Sequence, residues 1–183
     1  LLMVLFLISG LSWAGLWGTK FVQAWSTFPA EKWDAVPLSD ATHASMNHGA
    51  AKEVPWGLEQ TPMPESGSLA GTMAIHGPVT VGSVAAFADG LGFAWRYQLN
   101  LPANETGVFT ISHDSMSNDG PDPTADRTIH IDRYTGNVLA DVRYADYSPY
   151  ARLMAWGVAF HEGDLGLWNI ALNTAFCLGI LLM

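Results

Sequence analysis

Thr128-Ile129-His130-Ile131-Asp132-Arg133-Tyr134-Thr135-Gly136-Asn137-Val138-Leu139-Ala140-Asp141-Val142-Arg143-Tyr144 is the stretch whose reading decides the fold. Two short apolar–polar runs flank Tyr134-Thr135-Gly136-Asn137, and Gly136 offers the positive-φ position that a tight turn needs. The spacing predicts an antiparallel hairpin, Thr128–Asp132 returning as Val138–Tyr144. Side chains alternate along a strand, so Ile129 and Ile131 fall on one face, and Val138, Ala140 and Val142 on one face of the return strand.

Upstream of the hairpin, alternation predicts strands over Ala94–Leu101 and Gly107–Ser112. Before them, Pro78-Val79-Thr80 opens a helix with Val81, Val84, Ala85, Phe87, Ala88 and Leu91 at helical spacing. Gly90 and Gly92 are its stop signals. One helix before four strands predicts a small α+β module, a one-faced antiparallel sheet under a helix, over residues 78–148. Downstream, Pro149-Tyr150 starts a membrane-proximal helix through Phe160, within residues 149–164. Residues 26–72 contain Pro29, Pro37, Pro55, Pro62 and Pro64 among Ser, Gly, Ala and Thr, so 20–77 reads as an irregular covering segment.

Charge placement sets the wider organisation. Charged residues are 14% of the 183, against about 25% in ordinary soluble domains. The first is Lys20 and the last Asp164, so 1–19 and 165–183 carry none. Each apolar end approaches the roughly 20 residues that cross a bilayer as a helix. Both are expected to be truncated transmembrane helices, and the chain a piece of a longer membrane protein. For 1–19 a signal peptide is the rival, with Ser12-Trp13-Ala14 as a faint cleavage site. Trp13 and Trp17 suit a membrane–water belt better. For 165–183 the rival is a buried core helix. Asn169 and Asn173 lie i,i+4, and in lipid such a face turns toward neighbouring helices. Eight basic against 17 acidic residues argue against nucleic acid as a partner. One cysteine, Cys177, excludes an internal disulfide and multi-cysteine metal sites; it is expected to pack within the last apolar run.

Three groups of residues invite chemistry. His161 adjoins an apolar run, with Gly157 one helical turn earlier leaving room for a large planar ligand; neutral imidazole suits iron. The bland alternative is a polar helix end at the interface. His43, Met46 and His48 offer nitrogen and thioether donors suited to copper, with Met73 and His76 as further donors. A solvated loop with no preorganised copper site is expected there. Asp114, Asp119, Asp122 and Asp126 crowd one connection, but Ser115 and Ser117 do not supply the carboxylates of a calcium loop, so a solvated polar loop is expected. No nucleophile elbow, phosphate loop or dinucleotide fingerprint is present.

Trp56-Gly57-Leu58-Glu59-Gln60 with Pro62-Met63-Pro64, the stretch from His130 to Arg143, and Ala145-Asp146-Tyr147-Ser148-Pro149-Tyr150 leading to His161-Glu162-Gly163 together resemble the PepSY-associated transmembrane-helix family of bacterial inner-membrane proteins. The resemblance covers most of 56–183. It implies a periplasmic PepSY-like module at 20–164 between membrane helices. Some members are iron-regulated proteins and ferric-siderophore reductases that hold haem b and pass electrons outward. It further implies that His161 is a candidate axial ligand to haem iron, with the lipid bilayer, a ferric siderophore and an electron donor as partners. A second histidine ligand would lie outside the sequence in hand. Two alternatives stay open: a non-enzymatic module binding a periplasmic peptide or protein, and periplasmic copper handling. On this topology, alkaline phosphatase fused near Gly67 is active in intact cells; an inactive phosphatase fusion, with an active cytoplasmic reporter at the same point, would refute it.

Overall fold

The computed structural model describes residues 36–47, 54, 58–93, 96–115 and 120–182. The expected span at 1–19 therefore lies outside the described residues, as do His48, Trp56, Gly57 and Asp119. The described chain is α+β. Strands β1 (Leu38–Thr42) and β2 (Pro62–Pro64) pair as a small antiparallel sheet. Strands β3 (Thr72–Met73), β4 (Gln98–Asn100), β5 (Phe109–His113), β6 (Arg127–Ile131) and β7 (Asn137–Arg143) form a second antiparallel sheet in the order β3-β7-β6-β5-β4. Helix α1 (Val81–Gly90) lies between β3 and β4 in sequence; α2 (Pro149–Glu162) and α3 (Leu167–Leu181) follow β7.

The β6–β7 hairpin forms where its residues predict. Gly136 has φ of 71°, and its N–H donates to the Asp132 carbonyl at 3.0 Å. Asp132 explains why the turn is ordered. It is fully buried; its Oδ1 accepts from the N–H groups of Tyr134 (2.7 Å) and Thr135 (2.9 Å), an Asp-capped turn. Its Oδ2 accepts from Gly67 N–H at 2.7 Å, which pins the covering segment to the hairpin. Asn137 adds a second pin, donating from Nδ2 to the Ala70 carbonyl at 2.9 Å.

Two expectations about the sheet are overturned. It has two covered faces, not one. Ile111, Ile129 and Ile131 meet Val84 and Ala88 of α1 in one apolar cluster. The opposite face of β5 and β6 carries Thr110, Ser112, Thr128 and His130, and all four are buried as well. Polar alternation reads as a solvated face, but here residues from the covering segment and α2 lie over it: Val54, Leu58, Tyr147 and Ala151 cluster with Ala140 and Val142. The second correction concerns β7. Val138 packs with the α1 cluster, whereas Ala140 and Val142 belong to the other one. The register shifts between His130 and Ile131, pairing Ala140 with His130 but Val138 with Ile131. That extra residue in β7 is a β-bulge, which resets side-chain alternation. The covering segment is also less irregular than expected, since it contributes β1, β2 and β3.

Helix α1 begins at Thr80, whose hydroxyl accepts from Ser83 N–H while the Ser83 hydroxyl accepts from Thr80 N–H, a reciprocal cap. It ends at Gly90, as its stop signals predict. Helix α2 starts with Ser148 as N-cap and Pro149 in its first turn, and stops at Gly163 in the left-handed region. At fifteen residues α3 is about 22 Å long, short of a bilayer core of about 30 Å. No single helix among the described residues is long and apolar enough to cross a membrane; α2 and α3 together meet that length and composition but are bent by 69°. The expected span at 165–183 is thus represented by a shorter apolar helix. Cys177 is exposed on it, not packed.

Gly136 tests the hairpin. A Cβ there would stand 2.8 Å from the Ile75 carbonyl oxygen, besides the positive φ. Gly136→Val is expected to lower stability by about 1 kcal/mol or more in denaturant melts; unchanged stability would refute the turn geometry.

Candidate functional site

The described residues bring two constellations together, one anticipated and one not. The anticipated one is the elbow between α2 and α3. The last carbonyls of α2 have no partners within their own helix. Asn169 and Asn173, one turn apart on α3, supply them. Both donate from Nδ2 to the Phe160 carbonyl at 2.9 Å, and Asn173 also reaches the His161 carbonyl at 3.2 Å. Asn169 is fully buried in doing so. The amide pair therefore turns toward a neighbouring helix, as its spacing predicts, and fixes the bend.

His161 sits in the last turn of α2 beside this bend. It is half-buried, with its ring edge-on to Phe160 at 6.3 Å between centroids. Gly157 is on the same stripe, and a Cβ there would meet nothing within 4 Å among the described residues. Past the elbow α3 is apolar and largely uncovered: Leu167 is 85% exposed and Leu181 80%. On α2, Tyr150, Leu153 and Trp156 are also exposed, opposite the alanines that pack on the module.

A haem would need imidazole donors, and His161 is the one at the elbow that could serve. The other described histidines are engaged or placed elsewhere. His113 bonds through Nδ1 to the Arg96 carbonyl at 2.7 Å, His76 is exposed, and His43 and His130 face each other inside the module. Among the described residues the donor set thus supplies one imidazole at the elbow and no second.

The unanticipated constellation is that buried pair. His43 begins the short 3-10 turn His43–Met46 after β1, and His130 lies on the polar face of β6; neither has any exposed surface. Their Nε2 atoms are 2.8 Å apart. The surrounding groups dictate where the protons lie. His43 Nδ1 is 2.8 Å from both the carbonyl oxygen and the hydroxyl oxygen of Thr61. The carbonyl can only accept, and the Thr61 hydroxyl already donates to Leu58 O at 2.7 Å. His43 therefore carries its proton on Nδ1, and its Nε2 accepts from Nε2–H of His130. His130 Nδ1 in turn accepts from the Thr110 hydroxyl at 2.9 Å. The result is one directed chain, Thr110 to His130 to His43 to Thr61.

This corrects the solvated-loop expectation for His43: it is engaged with His130, 87 residues away. Met73 and His76 are exposed, whereas Met46 is partly buried against the Val54 cluster. Nothing in the spacing of residues 43 and 130 signals their meeting; only a polar histidine inside an isoleucine-rich strand was legible. The acidic connection is corrected too. Asp114 and Asp126 are buried, and Asp126 Oδ1 accepts from Ser115 N–H at 2.9 Å. Burial, with the neighbouring Asp114 charge adding to it, pushes the Asp126 carboxyl up to about 8. No group of three or more His, Cys, Asp or Glu among the described residues is arranged to hold a metal ion.

Beside the pair, Ser39, Met46, Met63, Asn100, Asn104 and Thr110 help line a groove of about 240 Å3. Thr110 belongs to both the groove wall and the hydrogen-bonded chain.

Burial holds His43 down to about 4 and His130 well below the usual histidine range, in the second case with His43 contributing. Both are neutral when folded and take protons near 6.5 when unfolded, so their stabilisation is complete above pH 6.5 and declines toward pH 4. For His43 alone that is about 3 kcal/mol. Asp126 acts in the opposite sense, its contribution lost as pH rises from about 4 toward 8. Wild-type stability is therefore partly compensated below pH 6.5 and falls from 6.5 to 8. In Asp126→Asn the histidine loss below pH 6.5 is uncovered. Chemical denaturation across pH 4–8 checks this; a flat profile in Asp126→Asn would contradict a neutral buried pair.

The model of the PepSY-associated TM region matches residues 1–183. No curated protein and no solved structure matches the chain. A family match over the whole chain, an α+β module and an apolar, uncovered helix after it agree, and the chain belongs to the PepSY-associated TM family of membrane proteins.

Proposed function

We propose that the chain is part of a bacterial inner-membrane protein that carries its PepSY module on the periplasmic face and serves haem-dependent electron transfer to periplasmic ferric complexes. The observation that carries this reading is His161 at the α2–α3 elbow, half-buried beside Gly157 and directly before an uncovered apolar helix. In this reading α3 enters the bilayer and the elbow lies at its outer edge. Tyr150, Trp156 and Trp168, all exposed, suit the headgroup level. The Asn169 and Asn173 amides keep the α2 end satisfied where water is scarce. His161 would be the residue of the described chain that holds the haem iron. When bound, haem would supply one-electron redox chemistry, and the protein would orient it and set its surroundings.

A second reading has its own observation. The groove beside Thr110 adjoins β4, an edge strand of the five-stranded sheet. Such a site suits a membrane-anchored module that holds an extended peptide segment without catalysing a reaction.

His161→Ala in the full-length protein separates the readings. Electron transfer predicts a loss of bound haem, read by pyridine haemochrome stoichiometry, and of the low-spin absorption spectrum. Haem-free wild-type protein, or unchanged haem content and spectrum in the variant, would remove His161 as a ligand and leave the binding module.

A further inference from the structure

We propose that α2 lies flat along the bilayer surface and docks the module on phospholipid headgroups, with Tyr150, Leu153 and Gly157 on the side turned to the lipid, a placement that rests on α3 entering the bilayer and not on haem. Both sides of α2 are short of charge. Ala151, Ala155, Val158 and Ala159 are buried, and Ala151 belongs to the cluster of Leu58, Val142 and Tyr147. On the other side Tyr150 is 61% exposed, Leu153 71% and Trp156 39%. A helix that packs on its own domain ordinarily turns charged and polar side chains outward. Here aromatic and aliphatic side chains face outward instead, so α2 needs a second apolar surface. Positions 150, 153 and 157 recur at three- and four-residue spacing and share one side of the helix. That stripe runs directly into the elbow and the uncovered α3.

The bend and the polar groups beside the stripe select a lipid surface. The axes of α2 and α3 differ by 69°. With α3 near the bilayer normal, that bend leaves α2 roughly 20° from the membrane plane. Its fourteen residues then cover about 21 Å of surface instead of crossing the core. Interfacial helices combine aromatic and leucine side chains with basic groups at headgroup level. Arg152 is such a group. It is exposed, its guanidinium lies 5.6 Å from the Tyr144 ring centre, and its Nε and Nη2 donate to the Tyr147 and Ala145 carbonyls. A guanidinium carries five N–H groups, so those bonds leave donors for phosphate oxygens. The Tyr144 hydroxyl accepts from Trp156 Nε1–H at 2.8 Å and has its own hydrogen to donate. Glu162 and Asp164, exposed on either side of Gly163, hold the elbow at the water boundary.

The test is electron paramagnetic resonance of the full-length protein in nanodiscs of phosphatidylethanolamine and phosphatidylglycerol. In a Cys177→Ser background, nitroxides are placed one at a time through Tyr150→Cys, Leu153→Cys, Gly157→Cys and Ile180→Cys, with Leu69→Cys on the module as a water-exposed reference. Depth is read from accessibility to oxygen and to a nickel chelate. The three α2 labels are expected at the phosphate level with depths within about 4 Å of one another, and the Ile180 label deeper. The Leu153 label is expected to broaden the lipid phosphorus NMR signal, and the Leu69 label to leave it sharp. A depth difference of about 10 Å between positions 150 and 157 would make α2 a membrane span and overturn the flat placement. Nickel access at Leu153 equal to that at Leu69 would leave α2 in water, and low access to both relaxants would put protein over the stripe; either overturns the lipid contact. An Ile180 label outside lipid would remove α3 from the bilayer, and the membrane placement of the elbow would fall together with that of α2. A deep Ile180 label with α2 labels away from the phosphates overturns the docking of α2 alone.

Discussion

The bond between His43 and His130 joins the covering segment to the polar face of the sheet. The underside of the sheet is polar, with Thr110, Ser112, Thr128 and His130 on β5 and β6, yet it is buried. Buried polar groups are costly unless they are paired. The covering segment brings His43 to that face, where its Nε2 accepts from His130 while Thr61 holds its Nδ1–H. The apolar cluster around Val54 and Leu58 then closes over the same face. An apolar lid alone would take from His130 the acceptor that His43 gives its Nε2–H, and a solvated sheet would leave Leu58 and Tyr147 without their cluster.

The same logic recurs at smaller scale. Asp132 takes three backbone N–H groups, two from its own turn and one from Gly67. Ser66 accepts from Arg133 N–H and donates to the Gly107 carbonyl. Asn137 reaches Ala70. Each is a polar side chain of one segment satisfying the backbone of another, so a Pro- and Gly-rich chain is held in place without regular structure. At the elbow, Asn169 and Asn173 do for the end of α2 what a sheet ladder does elsewhere.

The two chemical constellations differ in how they meet water. His161 is half-buried on a helix end, next to an apolar surface that continues along α3. The His43–His130 pair is fully enclosed and reaches the groove only through Thr110. The family match places the chain among the PepSY-associated membrane proteins, and both constellations are built on the α+β module and the two helices that follow it.

Local features of the chain were legible because their causes are local. Gly136 marks the turn, Pro78-Val79-Thr80 opens α1, Pro149-Tyr150 opens α2, and the charge-free run after Asp164 marks an apolar helix. The i,i+4 spacing of Asn169 and Asn173 predicted a shared face, and the helix end they cap is nearby in sequence. What the chain alone did not reveal is which polar residues end up buried. Strand alternation distinguishes two faces but cannot tell whether a distant segment covers the polar one, so Thr110 and His130 read as solvent-facing and His43 as a loop residue. The bulge that separates Val138 from Ala140 likewise depends on pairing with β6. Burial of a polar group is settled by partners far away in sequence, and only the tertiary structure brings those partners within hydrogen-bonding distance.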